Sequence, residues 1–411
     1  MRRKITIKTS SVGLALMGIY IFLSFNAMNI WLPSVLNSIS LVSLLGFGVI
    51  AFILNSGDGK IRIPVYTLWY IVFMSLSLAM MLYSQEKDIL SGEFYLMIVS
   101  LILTFFFQLF VDSEETFKKM CWMYSVSSFV LVLTLIVTGN MVADAANRLG
   151  EDLMGNANLF AGMIMVSVMY KLWLLVYDQN KISTRILLIL MTVVDYYALI
   201  LSAGRKFFVI PFIFLYVLLW FKKDKKGRKH IVKYTVIIAA LALLAVVLIM
   251  KVPVFYKTIG YRMESLVLGM LGLAEHGNSA AIREVMRNEA LARWLESPVW
   301  GYGFDSFKYH FWTVAGYFVY SHCNYAELLY NGGLIYAITY YWFFGYVLWN
   351  VFKKKIGLSR FRAFSVAAVI SFLVFDYGAV TYSIAIFQIM LAMSLRVLGF
   401  EEEDCSELME K

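Results

Sequence analysis

Hydrophobic residues come in blocks of about 18–22 with short polar stretches between them, the length that crosses about 30 Å of hydrocarbon at about 1.5 Å per residue. The blocks predict spans over 12–31, 34–54, 64–83, 94–111, 120–138, 157–177, 185–203, 206–221, 234–252, 326–351, 363–381 and 383–399. Each span must satisfy its own backbone hydrogen bonds in lipid, and uninterrupted blocks in a chain with five prolines favour helices over a barrel. The expected fold is therefore all-α: a polytopic membrane protein of about twelve transmembrane helices, built as one membrane domain over 1–411. One connection is long. Residues 253–325 form a large loop before the tenth span, and a long loop in an otherwise economical chain is more often functional than not. The end, 401–411, opens Glu401-Glu402-Glu403-Asp404 and reads as a solvated acidic tail.

Composition agrees with a lipid solvent: 61% of residues are hydrophobic and 15% charged, against about 45–50% and about 25% in soluble domains. The net charge of +9 raises nucleic acid as a partner, so its distribution decides. With the N-terminus inside, Arg2, Arg3, Lys4 and Lys8, the Lys222–Lys233 run and Lys353, Lys354 and Lys355 all fall on the cytoplasmic side. Roughly 24 basic residues lie inside against about 11 outside. Orientation in a bacterial cytoplasmic membrane accounts for the basicity without nucleic acid. Both termini are then cytoplasmic, the 253–325 loop is extracytoplasmic, and the first span doubles as an uncleaved signal. Cys121, Cys323 and Cys405 share no oxidising compartment, so no disulfide is expected.

Ionisable groups at the outer surface carry the candidate chemistry. Arg205 and Lys206 follow the short turn Leu201-Ser202-Ala203-Gly204, against the orientation rule, although an isolated basic residue at a span end is more often a snorkelling anchor. Within the long loop, Ser279 to Glu296 predicts an amphipathic helix with Arg283, Arg287 and Trp294 on one face. The bland reading pairs those arginines with Glu284 or Glu289. Gly301-Tyr302-Gly303-Phe304 supplies a turn where backbone can approach a ligand. Guanidinium forks fit phosphate oxygens bidentately, so converging arginines suit a lipid-linked diphosphate. Among the external histidines His276, His310 and His322, the last stands out because it lies at membrane depth just before a span, with Glu327 as its expected partner. Ligand spacing for a metal is lacking, since Glu86 and Asp88 only flank Lys87. Inside the spans, Asp195 and Asp376 call for a function or for hydrogen bonding to groups such as Tyr196, Tyr377 or Ser383. Lys171 is close enough to the inner face to snorkel.

Four external motifs resemble those of the O-antigen polymerase and O-antigen ligase superfamily. They are Arg148-Leu149-Gly150 with Gly155-Asn156-Ala157-Asn158; Leu201-Ser202-Ala203-Gly204-Arg205; Arg283 ahead of Ser297-Pro298-Val299-Trp300-Gly301-Tyr302-Gly303-Phe304; and Ser321-His322 through Glu327-Leu328-Leu329 with Gly333-Leu334-Ile335. The resemblance covers roughly 145–340. It departs from the family's pattern at Ala157, usually proline, at Cys323, commonly asparagine, and at Arg287, often tryptophan. It implies a GT-C-like membrane fold and a metal-independent glycosyltransferase without a cofactor, acting on an undecaprenyl-diphosphate-linked oligosaccharide. His322 would be the base, and Arg205 and Arg283 would hold the diphosphate. Arg148, Asn156, Asn158, Lys206, Arg287, Tyr302, Asn324, Tyr325 and Glu327 would contact substrate. Capsule or exopolysaccharide repeat-unit polymerisation is the favoured reaction, with ligation as the alternative within the family. Membrane lipid, a chain-length regulator and a flippase of the same pathway are the implied partners. A lipid-linked oligosaccharide transporter is the rival from another class, since twelve spans with intramembrane aspartates suit it.

Overall fold

The computed structural model describes residues 9–26, 35–55, 63–90, 92–141, 148–154, 156–178, 181–222, 228–270, 279–353 and 360–400. The N-terminal basic run, Gly155, His276 and the 401–411 tail lie outside the described residues. All regular structure among the described residues is helical. In chain order the main elements are α1 (Thr9–Asn26), α2 (Val35–Asn55), α3 (Val65–Met80), α4 (Gly92–Phe110), α5 (Glu114–Val137), α6 (Ala157–Tyr177), α7 (Ile182–Leu201), α8 (Arg205–Phe221) and α9 (Arg228–Lys251). There follow α10 (Tyr261–Met270), α11 (Ser279–Trp294), α12 (Phe307–Ala315), α13 (Asn324–Lys353), α14 (Arg360–Phe375) and α15 (Ala385–Arg396).

Among the described residues, six helices are long and apolar enough to cross a membrane: Val35–Ile53, Gly92–Phe110, Glu114–Val137, Ala157–Tyr177, Ile182–Leu201 and Val232–Lys251. Shorter apolar helices run over Ser11–Asn26, Val65–Met80 and Ala385–Gly399. The chain is thus a multi-pass membrane protein whose described spans are less uniform than the expected twelve. The expected 363–381 span stops at Phe375, where the chain turns. The expected 326–351 span lies in α13, which is broken at Gly332 (φ −135°) and Gly333 (φ 62°). No L side chain adopts the Gly333 conformation readily, so the break is written in the glycine pair.

α6 is the central helix, apolar on every face and buried from Phe160 to Leu174 on all but a few edges. Around it pack α5, α7, α8 and α15, with Phe117–Trp173 (4.9 Å) between α5 and α6, while Phe207–Phe375 (5.2 Å) joins α8 to α14. α9 is peripheral, with almost all of its apolar span left for lipid.

Lys171 does not snorkel. Its ammonium is fully buried between α5, α6 and α7, ion-paired to Asp195 and donating to Ser128 Oγ at 2.7 Å, while Ser128 donates to Asp195 at 2.7 Å. α6 is enclosed on the side from which Lys171 projects, so no path to the surface remains. Asp195 is therefore held by an ion pair rather than by neighbouring tyrosines. Asp376 accepts from Thr381 (2.6 Å), Tyr341 (2.9 Å) and Asn324 (3.1 Å), which ties the turn after α14 to the start of α13.

The 253–325 segment is a helical cap rather than an open loop. α11 and α12 rest on the start of α13 through Met286, Ala290, Phe307, Phe311, Cys323, Ala326 and Tyr330. The expected 279–296 helix ends at Trp294, whose indole N–H caps the turn on the Pro298 carbonyl at 2.9 Å.

Candidate functional site

Non-glycine residues with left-handed backbone are uncommon because Cβ crowds the carbonyl, and where the surroundings enforce them they cluster at functional sites. Among the described residues there are three: Ala203 (φ 54°), Asp305 (φ 53°) and His322 (φ 58°). Each belongs to a connection between helices, and each lies within three residues of the wall of one cavity.

The first loop pair forms a platform. Arg148 donates Nε to the Ser202 carbonyl (2.9 Å) and Nη2 to Asn158 Oδ1 (3.0 Å), while the Leu149 N–H donates to the Leu201 carbonyl (3.2 Å). Asn156 caps α6, its side chain accepting from the Asn158 N–H at 2.8 Å. The turn into α8 then places Arg205 and Lys206 in the first turn of that helix. Arg205 donates to the Arg262 carbonyl at 2.5 Å, and Lys206 donates to the Gly378 carbonyl and lies over the Phe207 and Phe375 rings.

α11 brings the next cation. Met286 and Ala290 bury one stripe of the helix against α13, which holds Arg283 at its edge beside Tyr320. Arg283 and Arg262 are near enough to bear electrostatically on Arg205, and Arg283 and Arg148 on Lys206. Burial, then Arg262 and Arg283, pull the Arg148 guanidinium down to about 10. Burial also lowers Arg283 itself. Five cations, Arg148, Arg205, Lys206, Arg262 and Arg283, therefore converge, and among the described residues none is ion-paired to a carboxylate. Like charges gathered this closely without counter-ions make a site for a multivalent anion.

His322 stands against this cluster, its ring 4.3 Å from that of Tyr320 and its Nδ1 buried without a partner. Burial first, then the charges of Arg283 and Lys206, push its imidazole down to about 3, so it is neutral at physiological pH. The expected Glu327 partner is not used. Glu327 accepts from the Ser321 N–H (2.7 Å) and from Asn331 Nδ2 (3.3 Å), and Asn331 Oδ1 in turn accepts from the Ser306 N–H (3.1 Å). The carboxylate instead latches the 321 turn, through Asn331, to the turn that holds Ser306.

Other expected contacts also belong to the frame. Asn324 is fully buried, its amide shared between Asp376, Tyr341 and the Thr381 N–H. Tyr325 donates to the Leu373 carbonyl (2.7 Å), and Tyr302 donates to Glu296 (3.0 Å) and the Arg293 carbonyl (3.1 Å). Arg287 lies over the Tyr377 ring at 4.8 Å and 3.8 Å from Glu284. His310 pairs with Glu289 at 2.8 Å. The glycines of the 301–304 turn approach backbone rather than ligand: the Tyr302 and Gly303 N–H groups donate to the Tyr330 and Asn331 carbonyls at 2.9 and 2.7 Å, seating the turn in the α13 break.

A cavity of about 410 Å³ adjoins the cluster. Lys206, Asn156, Asn158 and Tyr320 stand on its wall, as do Glu93, Asp305 and Glu327, and it continues along apolar side chains of α1, α4, α6 and α15 such as Ile21, Leu96, Met163 and Ile389. Burial dominates at Asp305 and lifts it to about 7, with Lys308 opposing and Glu93 adding to the rise. Arg262, Tyr320, Glu93 and Asp305 carried no distinguishing signal in the sequence, for each lies in an unremarkable local context. Among the described residues no group of three or more His, Cys, Asp or Glu side chains is placed to hold a metal ion.

Fold and site together define a multi-pass helical membrane protein with an anion cup beside a partly apolar cavity. Residues 186–341 match the family model described as O-antigen ligase, in keeping with the resemblance of the motifs to the O-antigen polymerase and ligase superfamily. The matched segment contains Arg205, Lys206, Arg262, Arg283 and His322 and stops short of Arg148. The comparison with curated proteins gave no match.

Proposed function

We propose that the chain is a repeat-unit polymerase at the extracytoplasmic face of the bacterial cytoplasmic membrane. It transfers a growing glycan from an undecaprenyl-diphosphate carrier to a sugar hydroxyl of another lipid-linked repeat unit. The observation that carries the reading is the cluster of five cations without carboxylate partners, adjoining a cavity with an apolar extension. A diphosphate on a polyprenyl chain needs both chemistries side by side. The acceptor hydroxyl attacks the anomeric carbon, the bond to the diphosphate breaks, and the hydroxyl proton passes to His322. Charge growing on the diphosphate is met by cations already in place, the arrangement that lowers a barrier most. A bound diphosphate also offsets Arg283 and Lys206, which raises the basicity of His322 when substrate is present. Both intramembrane aspartates are committed to other side chains, which takes support from a transport reading.

Purified protein in liposomes with a defined lipid-linked repeat unit tests this. Products longer than one repeat, formed equally with a chelator present, are expected. Attachment of one finished glycan to a different acceptor indicates a ligase, and translocation without elongation indicates a carrier. Unchanged polymer length and yield in cells carrying Arg205→Ala or His322→Ala would remove the site assignment.

A further inference from the structure

The cavity has a second chemical face that the donor does not explain. Besides Lys206 and the asparagines, it is walled by Glu93, Asp305, Glu327, Tyr320 and Tyr382. Glu327 has both oxygens engaged by Ser321 and Asn331. Asp305 does not. Its residue is only 3% exposed, one oxygen binds Lys308 at 2.6 Å, and no described residue takes the other. Glu93 likewise accepts from Ser383 with one oxygen only. Both residues stand on the cavity wall, where a carboxylate oxygen that takes no protein donor is free to accept one from a ligand. The Lys308 ammonium, bridged also to Glu86 at 2.6 Å, holds Asp305 in place.

We propose that this wall seats the acceptor sugar, with Asp305 as the residue that determines specificity, and that the sugar it takes is uncharged or amino-bearing, never a uronic acid. The inference rests on the donor reading above and adds the acceptor's class to it. Sugar hydroxyls and ammonium groups donate, and carboxylate oxygens accept. Tyr320 and Tyr382 offer ring faces beside them. A uronate carboxylate brings acceptor oxygens to a wall that calls for donors, and it is repelled by Asp305 in its ionised form, a substantial fraction near neutral pH for a group lifted to about 7. Tyr320 links the two halves: it lies on the cavity wall, packs on His322, and feels both Arg283 and Glu93. An acceptor held at Asp305 is therefore close to the imidazole that would receive its proton.

The test uses the full-length protein in liposomes, a lipid-linked repeat unit as donor, and synthetic acceptors ending in a neutral hexose, a hexosamine with a free amine, or a hexuronate. Wild type is expected to favour the first two over the hexuronate by at least about tenfold in kcat/KM. Asp305→Asn keeps the shape and tolerates the left-handed backbone. It should narrow that ratio by about tenfold, with the KM for donor unchanged. Glu93→Gln should narrow it in the same direction, which secures the result if the first variant folds poorly. Lys308→Arg keeps the cation that holds the carboxylate in place, and should preserve the discrimination. Equal use of the hexuronate by wild type, an unchanged ratio in both carboxylate variants, or a Lys308→Arg protein that behaves like Asp305→Asn overturns the inference and leaves the donor reading standing. A wild type that transfers no glycan at all overturns both.

Discussion

Arg283→Ala separates a catalytic cation from a structural one. Arg283 is half-buried, bonds no described carboxylate, and leaves no orphaned acid when truncated, so the fold loses only the packing of its aliphatic stem. On the proposed mechanism the transition state loses one of five cations around the departing diphosphate. One preorganised contact of this kind is worth about 3–4 kcal/mol, or about 10²–10³ in rate. Arg283→Lys should recover part of that loss, because charge returns without the fork. The same substitution makes a second change that packing cannot mimic. Burial and then Arg283 hold the His322 imidazole at about 3, so removing the nearer charge must move its titration upward, toward the ordinary value of about 6.5. The assays are initial rates of elongation in liposomes and NMR of histidine-labelled protein across pH. Elongation within about threefold of wild type, or a His322 titration that does not move, refutes the reasoning.

Acid should destabilise the protein through the same histidine. The folded imidazole protonates near 3 and the unfolded one near about 6.5, so its contribution is complete above 6.5 and is lost as pH falls between those values; His322→Asn should flatten this part of the Tm–pH profile. Lys171→Met strands a buried Asp195 and should cost about 3–5 kcal/mol, whereas Lys171→Met with Asp195→Leu should restore most of it, as thermal unfolding in detergent will read. Gly333→Ala places a Cβ 2.3 Å from the Val299 carbonyl in a left-handed position, so it should unseat the 297–304 turn and abolish elongation even where membrane insertion persists, a split that glycan and membrane-fraction analysis would resolve.

Much of the site was legible because its loops carry local signals. Arg205 stands out because a basic residue on the expected outer side runs against the orientation rule, and Arg283 stands out through its pairing with Arg205. His322 stands out by its place before a span. Asn324, Tyr325 and Tyr302 fall in the same motifs yet serve the frame, since nothing local distinguishes an amide that meets substrate from one that meets Asp376. The Lys171–Asp195 pair shows the converse. Each residue alone suggests snorkelling or function, and only the packing of α6 against α7 shows that they meet.

Hydrophobic block length, set by bilayer thickness, determined from the sequence alone that this chain is a multi-pass helical membrane protein. Whether the cations of four separate segments converge was decided by tertiary structure. Coulomb energy depends on distances in space, and those follow from how the 253–325 cap sits on α13, which chain order does not reveal. The same packing brought Arg262, Tyr320 and Asp305 to the site from positions with no pattern of their own.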